Sequence, residues 1–146
     1  TAAVAALLRR DRPPDAIVAM LQREVVERLR ALPGSADYGP LAVLGALSAE
    51  VVLVRRVPPE VFLPRPAVES SVFRVTPRPG AGVAAGAAAD LAAVAFRMRR
   101  KRVAKALAGT VAAGDLAAAG IDPEVRPEEI PPDAWARLAA HLAERG

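Results

Sequence analysis

The sequence contains no cysteine, which excludes disulfides and thiolate metal sites. Its single histidine, His141, cannot by itself build a zinc site or complete a serine-type triad. Aromatic residues are scarce, three Phe with one Trp and one Tyr, so a dense aromatic core is not available. Long apolar runs are missing as well. The longest uncharged stretch, Tyr38 to Ala49, falls short of the roughly 20 residues that a membrane span needs. The apolar run Ala2 to Leu8 has no basic region ahead of it and no convincing cleavage site, so it does not read as a signal peptide. A cytoplasmic protein, with no membrane partner and no metal, is the expectation from these absences. One further absence is local. No acidic residue occurs between Leu91 and Gly114, although Arg97, Arg99, Arg100, Lys101, Arg102 and Lys105 all fall in that interval.

What is present is a chain of 146 residues, 53% hydrophobic with alanine supplying much of it, and punctuated by 14 prolines and 10 glycines. That composition is globular and favours short helices over a wide sandwich. The formal net charge of +4 means little until the clustering of the bases is considered.

Ala2 to Arg10 is helical in composition and ends at Asp11-Arg12-Pro13-Pro14. Ala16 to Leu21 is a short apolar run, expected as a strand buried on both faces. Arg23 to Leu32 is amphipathic, with Val25, Val26, Leu29 and Leu32 at helical spacing, and Pro33-Gly34 stops it. Leu41 to Ala49 reads as a second short helix. Glu50 to Val57 and Ser70 to Thr76 read as strands, joined by a loop from Pro58 to Val68 that holds four prolines. This order suits the C-terminal edge of an open α/β sheet whose other strands precede the chain. Arg78 to Ala89, rich in Pro, Gly and Ala, reads as a linker. Helices are expected at Asp90–Arg97, Arg100–Thr110, Gly114–Ala119 and Pro132–Glu144, the last with Trp135, Leu138 and Leu142 on one face.

Four features bear on function. Gly80, Gly82 and Gly86 resemble a dinucleotide loop, but the spacing is one residue too long and Pro77 and Pro79 spoil the strand-to-turn geometry, so a linker is the reading. Pro64 and Pro66 stiffen the loop that carries Phe62. A ring held this way either stacks on an extruded base or packs under the sheet edge. The run Arg97 to Lys105 is either a solvated helix face or a surface for nucleic-acid phosphate, and the lack of interleaved acids argues for phosphate, because like charges at helical spacing repel. Gln22, closing the strand and opening a helix, either approaches a ligand or caps the helix, and capping is the expectation. His141 is expected at the surface and Trp135 in the core.

Several segments together resemble a known family. Met20-Leu-Gln22-Arg-Glu24-Val-Val-Glu-Arg28-Leu29 is followed by Pro33-Gly-Ser-Ala-Asp-Tyr38-Gly39 and by Val57 to Ser70 with its Phe62-Leu-Pro64-Arg-Pro66-Ala-Val68 core. Phe96-Arg-Met-Arg99-Arg100-Lys101, Ala119-Gly-Ile-Asp-Pro123 and Arg126-Pro-Glu-Glu129 then follow in order. Each is weak alone, but the series is similar to the KsgA/RsmA-type 16S rRNA adenine N6,N6-dimethyltransferases over nearly the whole chain. The resemblance implies an α/β fold: the C-terminal part of a Rossmann-like S-adenosylmethionine-dependent methyltransferase sheet (residues 1–77), a linker (78–89) and a small all-α RNA-binding domain (90–146). It implies dimethylation of two adjacent adenosines near the 3′ end of 16S rRNA by a monomer acting on the immature small ribosomal subunit. It implies that Phe62 stacks on the flipped adenine in a pocket shaped by Pro64 and Pro66, and that the basic cluster meets rRNA. The family's glycine-rich cofactor loop, its ribose-binding acid and its Asn-Leu-Pro-Tyr motif are not in this sequence, so the cofactor site is expected upstream of Thr1. Ala67 stands where relatives commonly carry Lys, and Arg102 where they carry Thr. Two rivals remain, a 23S rRNA methyltransferase of the erythromycin-resistance type and a non-catalytic RNA-binding or ribosome-assembly module. The Pro33 to Gly39 stretch and the helical tail speak against the first.

Overall fold

The computed structural model describes residues 1–146. A helix, α1 (Ala2–Leu8), leads to strand β1 (Ile17–Gln22), which runs straight into α2 (Arg23–Leu29). After a loop come α3 (Pro40–Ser48) and β2 (Ala49–Val57), then the proline loop and β3 (Ser70–Pro77). The rest is helical: α4 (Gly82–Phe96), the single turn α5 (Val103–Ala106), α6 (Ala113–Ala118) and α7 (Pro132–Arg145). Pro40 and Pro132 open α3 and α7, where the missing N–H costs nothing because the first turn has no intrahelical acceptor for it.

The three strands order as β1-β3-β2, with β3 antiparallel to both neighbours, so β1 and β2 run parallel to each other. Ser71, Phe73 and Val75 of β3 face inward, and Phe73 and Val75 are fully buried beneath the helices. β1 is not buried on both faces as its composition suggested. Its residues alternate, and Val18 and Met20 lie open on the outer face of the sheet. β2 carries a bulge: Leu53 pairs with Phe73, but Arg55 pairs with Val72 and Arg56 with Ser71, so Val54 is looped out.

The segment read as a linker is mostly helix. α4 begins at Gly82, and its Ala85 and Ala89 enter one apolar core with Val4, Leu8, Val26, Leu29, Leu44, Phe73 and Val75. Its next faces, Ala88, Ala92 and Ala95, enter a second core with Tyr38, Val43, Leu107, Leu116, Trp135 and Leu138. One helix therefore serves both cores, and glycine and alanine composition here reflects close packing rather than freedom. A Cβ on Gly82 would stand 2.5 Å from the Leu8 carbonyl oxygen and closer still to that of Arg10. A Cβ on Gly45 of α3 would stand 2.7 Å from the Leu29 carbonyl oxygen of α2. α2 is also shorter than its apolar pattern: it stops at Leu29, and Leu32 is exposed.

In the helical half, Trp135 is fully buried as expected, but His141 has a partner. Asp115 accepts the Ala112 backbone N–H at 3.0 Å through one oxygen, which closes the N-terminus of α6. Its other oxygen bonds His141 Nε2 at 3.0 Å and receives Arg145 Nη1, joining α6 to α7. These contacts, the backbone N–H first, hold the Asp115 carboxyl below the ordinary carboxylate range despite its desolvation.

Three outcomes follow. Helix propensity alone makes Gly→Ala favourable by about 0.5–1 kcal/mol, and Gly114→Ala, which meets nothing within 4 Å, should raise stability by that amount in urea denaturation. Gly82→Ala should instead lower it by about 1–3 kcal/mol, the usual cost of overpacking, because the obstacles are backbone carbonyls. The Asp115 link is present above the ordinary carboxylate pKa of about 3.9 and is lost as pH falls below it. Asp115→Asn should therefore lower the neutral-pH midpoint and flatten the acid side of the stability profile.

Candidate nucleic-acid interface

The loop between β2 and β3 is held at several points. Pro59 to Val61 form one tight turn, Pro58, Pro59, Pro64 and Pro66 fix their φ angles, and Arg65 donates to Glu60 at 2.5 Å across the loop. At its far end the Glu69 carbonyl accepts the Arg23 N–H at 3.0 Å, which ties the loop to the start of α2. Phe62 sits half-buried on this frame, with Pro66 half-buried and Pro64 exposed. Next to it Leu63 is fully exposed, and Val61 and Val68 are open as well. An apolar tip on a stiff connector is a surface able to lie against another flat or apolar group.

Beside the loop, Gln22, Arg23, Glu24, Glu27, Val68 and Glu69 line a depression of about 260 Å³. Gln22 is exposed and makes no capping bond to α2, so the capping expectation fails. Glu69 Oε1 is buried with no hydrogen-bond partner.

The basic cluster does not lie on one helix. Residues 97–102 form turns between α4 and α5, because α4 ends at Phe96 and α5 is a single turn. The helical-spacing repulsion inferred from sequence therefore does not apply. Arg97, Arg100, Lys101, Arg102 and Lys105 are exposed. Arg99 is not available in the same way: its Nε donates to Glu128 at 2.5 Å, its Nη1 to the Ala36 carbonyl at 2.9 Å and its Nη2 to the Ser35 carbonyl at 3.1 Å. Its guanidinium also lies 5.8 Å from the centre of the Phe96 ring. Arg102 pairs with Glu124 at 2.5 Å, an exposed and therefore weak contact.

Folding thus supplies the acids that the local sequence lacks. Arg100, Lys101, Arg102, Lys105 and Arg126 line a depression of about 530 Å³ together with Glu124 and Glu129. The bases outnumber the acids, so the surface remains attractive to polyanions. Arg126 comes from a distant segment and was missed from sequence, since its membership depends on the α6–α7 connection folding back onto α5, where the Val103 N–H donates to the Val125 carbonyl at 2.7 Å. Phe62, Pro64 and Pro66 are not part of this depression.

The loop at residues 33–39 joins the two halves. The Gly34 N–H donates to the Glu128 carbonyl at 2.7 Å, and the buried Tyr38 hydroxyl donates to the Ile130 carbonyl at 2.6 Å. Burial pushes the Tyr38 phenol well above its ordinary pKa, which keeps it a donor. Its ring meets Phe96 edge-on at 6.0 Å between centres.

No cofactor cradle is formed by the glycine stretch. Gly82 and Gly86 are covered by α1, with the Arg9 side chain 3.3 Å from where a Cβ of Gly86 would stand, so neither presents backbone to a nucleotide. The residues of this chain do not fit S-adenosylmethionine at that place. No helix is long and apolar enough to cross a membrane.

Comparison with known proteins bears on this geometry. A family model described as "Ribosomal RNA adenine dimethylase" matches residues 1–144. A Chromobacterium violaceum protein named ribosomal RNA small subunit methyltransferase A is 45% identical over 133 residues, covering 87% of this chain and 50% of that protein. A Ruegeria pomeroyi protein of the same name is 43% identical over 143 residues, covering 94% of this chain and 51% of its own. The chain thus spans about half the length of the curated relatives it matches. Among solved structures, a dimethyladenosine transferase from Plasmodium falciparum superposes with a TM-score of 0.83 at 18% identity, over 98% of this chain and 62% of that one. The 23S rRNA methyltransferase ErmE superposes with a TM-score of 0.60 at 19% identity, over 97% of this chain and 60% of that one. These two establish the fold, a Rossmann-like methyltransferase architecture. With the family model spanning residues 1–144, the chain belongs to the ribosomal RNA adenine dimethylase family.

Proposed function

We propose that this chain is the RNA-facing part of an S-adenosylmethionine-dependent rRNA adenine N6,N6-dimethyltransferase. Its substrate is two adjacent adenosines near the 3′ end of 16S rRNA in the immature small ribosomal subunit. The relatives at 43–45% identity carry small-subunit names, which favours 16S over 23S rRNA. We place the methyl donor in the portion of those relatives that this chain does not span. We assign the protein to the cytoplasm as a monomer.

The observation that carries the reading is the loop frame around Phe62. Methylating an exocyclic amine requires the base to leave its stack, and an extruded base needs a flat partner. Phe62, braced by Pro64, Pro66 and the Glu60–Arg65 pair, offers its ring without first having to be ordered. Arg97, Arg100, Lys101, Arg102 and Lys105, joined by Arg126, hold the rRNA backbone through phosphate contacts. Arg99 supports that surface from beneath rather than touching RNA.

In the full-length enzyme, Phe62→Ala should lower methylation of small subunits about 5- to 150-fold, since base–aromatic stacking is worth about 1–3 kcal/mol. Phe62→Tyr should retain most activity. Phe62→Leu keeps apolar bulk but not the ring, and should stay defective with an unchanged melting temperature. Near-normal methylation by the Leu variant would show that Phe62 only packs.

A further inference from the structure

A second basic notch lies between α2 and the ends of β2 and β3, and shares Arg23 and Glu27 with the depression beside the proline loop. Arg23, Arg30, Glu27, Leu53, Arg56 and Ser71 line this space of about 280 Å³. Arg23 is satisfied by Glu27 at 2.6 Å, but Arg30 and Arg56 are in none of the chain's ion pairs. Ser71, a buried residue of β3, also lines the space.

The convergence has a specific structural cause. Strict alternation along β2 would put Arg55 on the inner face beside Leu53 and turn Arg56 outward. The bulge at Val54 resets the alternation, so Arg56 pairs with Ser71 and points to the α2 side, while Arg55 pairs with Val72 on the outer face. Bulges re-aim side chains in this way, often next to functional sites. The fold therefore places two guanidiniums without an acidic partner, Arg56 of the sheet and Arg30 just after α2, on the lining of one notch, where a single anion can meet both.

We propose that Arg30 and Arg56, with the Ser71 hydroxyl, form a site for a phosphodiester group of the RNA strand that flanks the extruded base. The guanidinium forks match phosphate oxygens, and the hydroxyl supplies one more donor. β2 and β3 carry Arg56 and Ser71 at the ends from which the Phe62 loop springs. A phosphate held there anchors the strand at the root of the loop, on the methyltransferase side and apart from the Arg100–Lys105 surface. This rests on the rRNA reading above.

The test uses the full-length enzyme that carries this chain and a labelled RNA hairpin from the 3′ end of 16S rRNA, titrated across potassium chloride concentrations. The double variant Arg30→Ala, Arg56→Ala should lower the slope of log K against log salt by about 2, roughly one per lost phosphate contact. Arg55→Ala, on the other face, should leave it unchanged. If Arg100→Ala with Lys101→Ala lowers the slope but the Arg30/Arg56 pair does not, the notch proposal fails and the rRNA reading stands. If the unaltered full-length enzyme does not bind the hairpin, both fail. Inorganic phosphate that binds the chain only while Arg30 and Arg56 are present, but leaves RNA affinity unchanged beyond the effect of equal ionic strength, would assign the notch to a free anion and overturn the phosphodiester assignment.

Discussion

Close approach of backbones across small side chains is the constraint on which this structure depends. With so few aromatic residues, the chain cannot fill wide gaps between elements. It closes them instead, bringing α2 against α3 at Gly45 and α1 against α4 at Gly82. α4, built largely of alanine, can then serve both apolar cores, with Ala85 and Ala89 on one side and Ala88, Ala92 and Ala95 on the other. Little side-chain entropy is lost when alanine is buried, which offsets the modest apolar area each residue contributes.

Given that packing, a few polar contacts set how the helical tail meets the sheet-bearing half. Tyr38 and Arg99 do most of this, one by a buried hydroxyl to the Ile130 carbonyl and the other by bonds to Glu128, Ser35 and Ala36. Both converge on the segment 128–130 and both touch Phe96. The surface formed by Arg100, Lys101, Lys105 and Arg126 is consequently mounted on a fixed base rather than on a free helix. Fixed charges hold an RNA backbone in one register at lower ordering cost than mobile ones.

The functional features then fall into a consistent arrangement. A stiff loop presents Phe62 between two antiparallel neighbours, a basic surface lies on the helical tail, and a bulge in β2 turns Arg56 towards α2 at the loop's root. Positioning by phosphate contacts and reading by a stacked base are separate physical tasks, and under the proposed function they fall to different elements.

Local sequence by itself determined the positions of α1, α3, β2, β3 and α7, because proline stops, β-branched runs and helical spacing act over a few residues. It also determined the stiffness of the Phe62 loop, which four prolines impose whatever surrounds them, and the family, which rests on ordered segments. Tertiary structure decided the rest. Residues 82–89 looked like a linker because glycine and alanine serve flexibility and close packing equally well, and only α1 lying across Gly82 distinguishes them. The basic run looked like one uniform set because its ion-pair partners, Glu124 and Glu128, lie more than twenty positions downstream of the residues they meet. Folding took Arg99 out of that set, added Arg126, and brought Arg30 to Arg56 through a bulge that breaks the alternation on which strand reading relies. The reason is common to all three: a side chain's partner is fixed by the path of the backbone between them, and that path is a property of the packed whole.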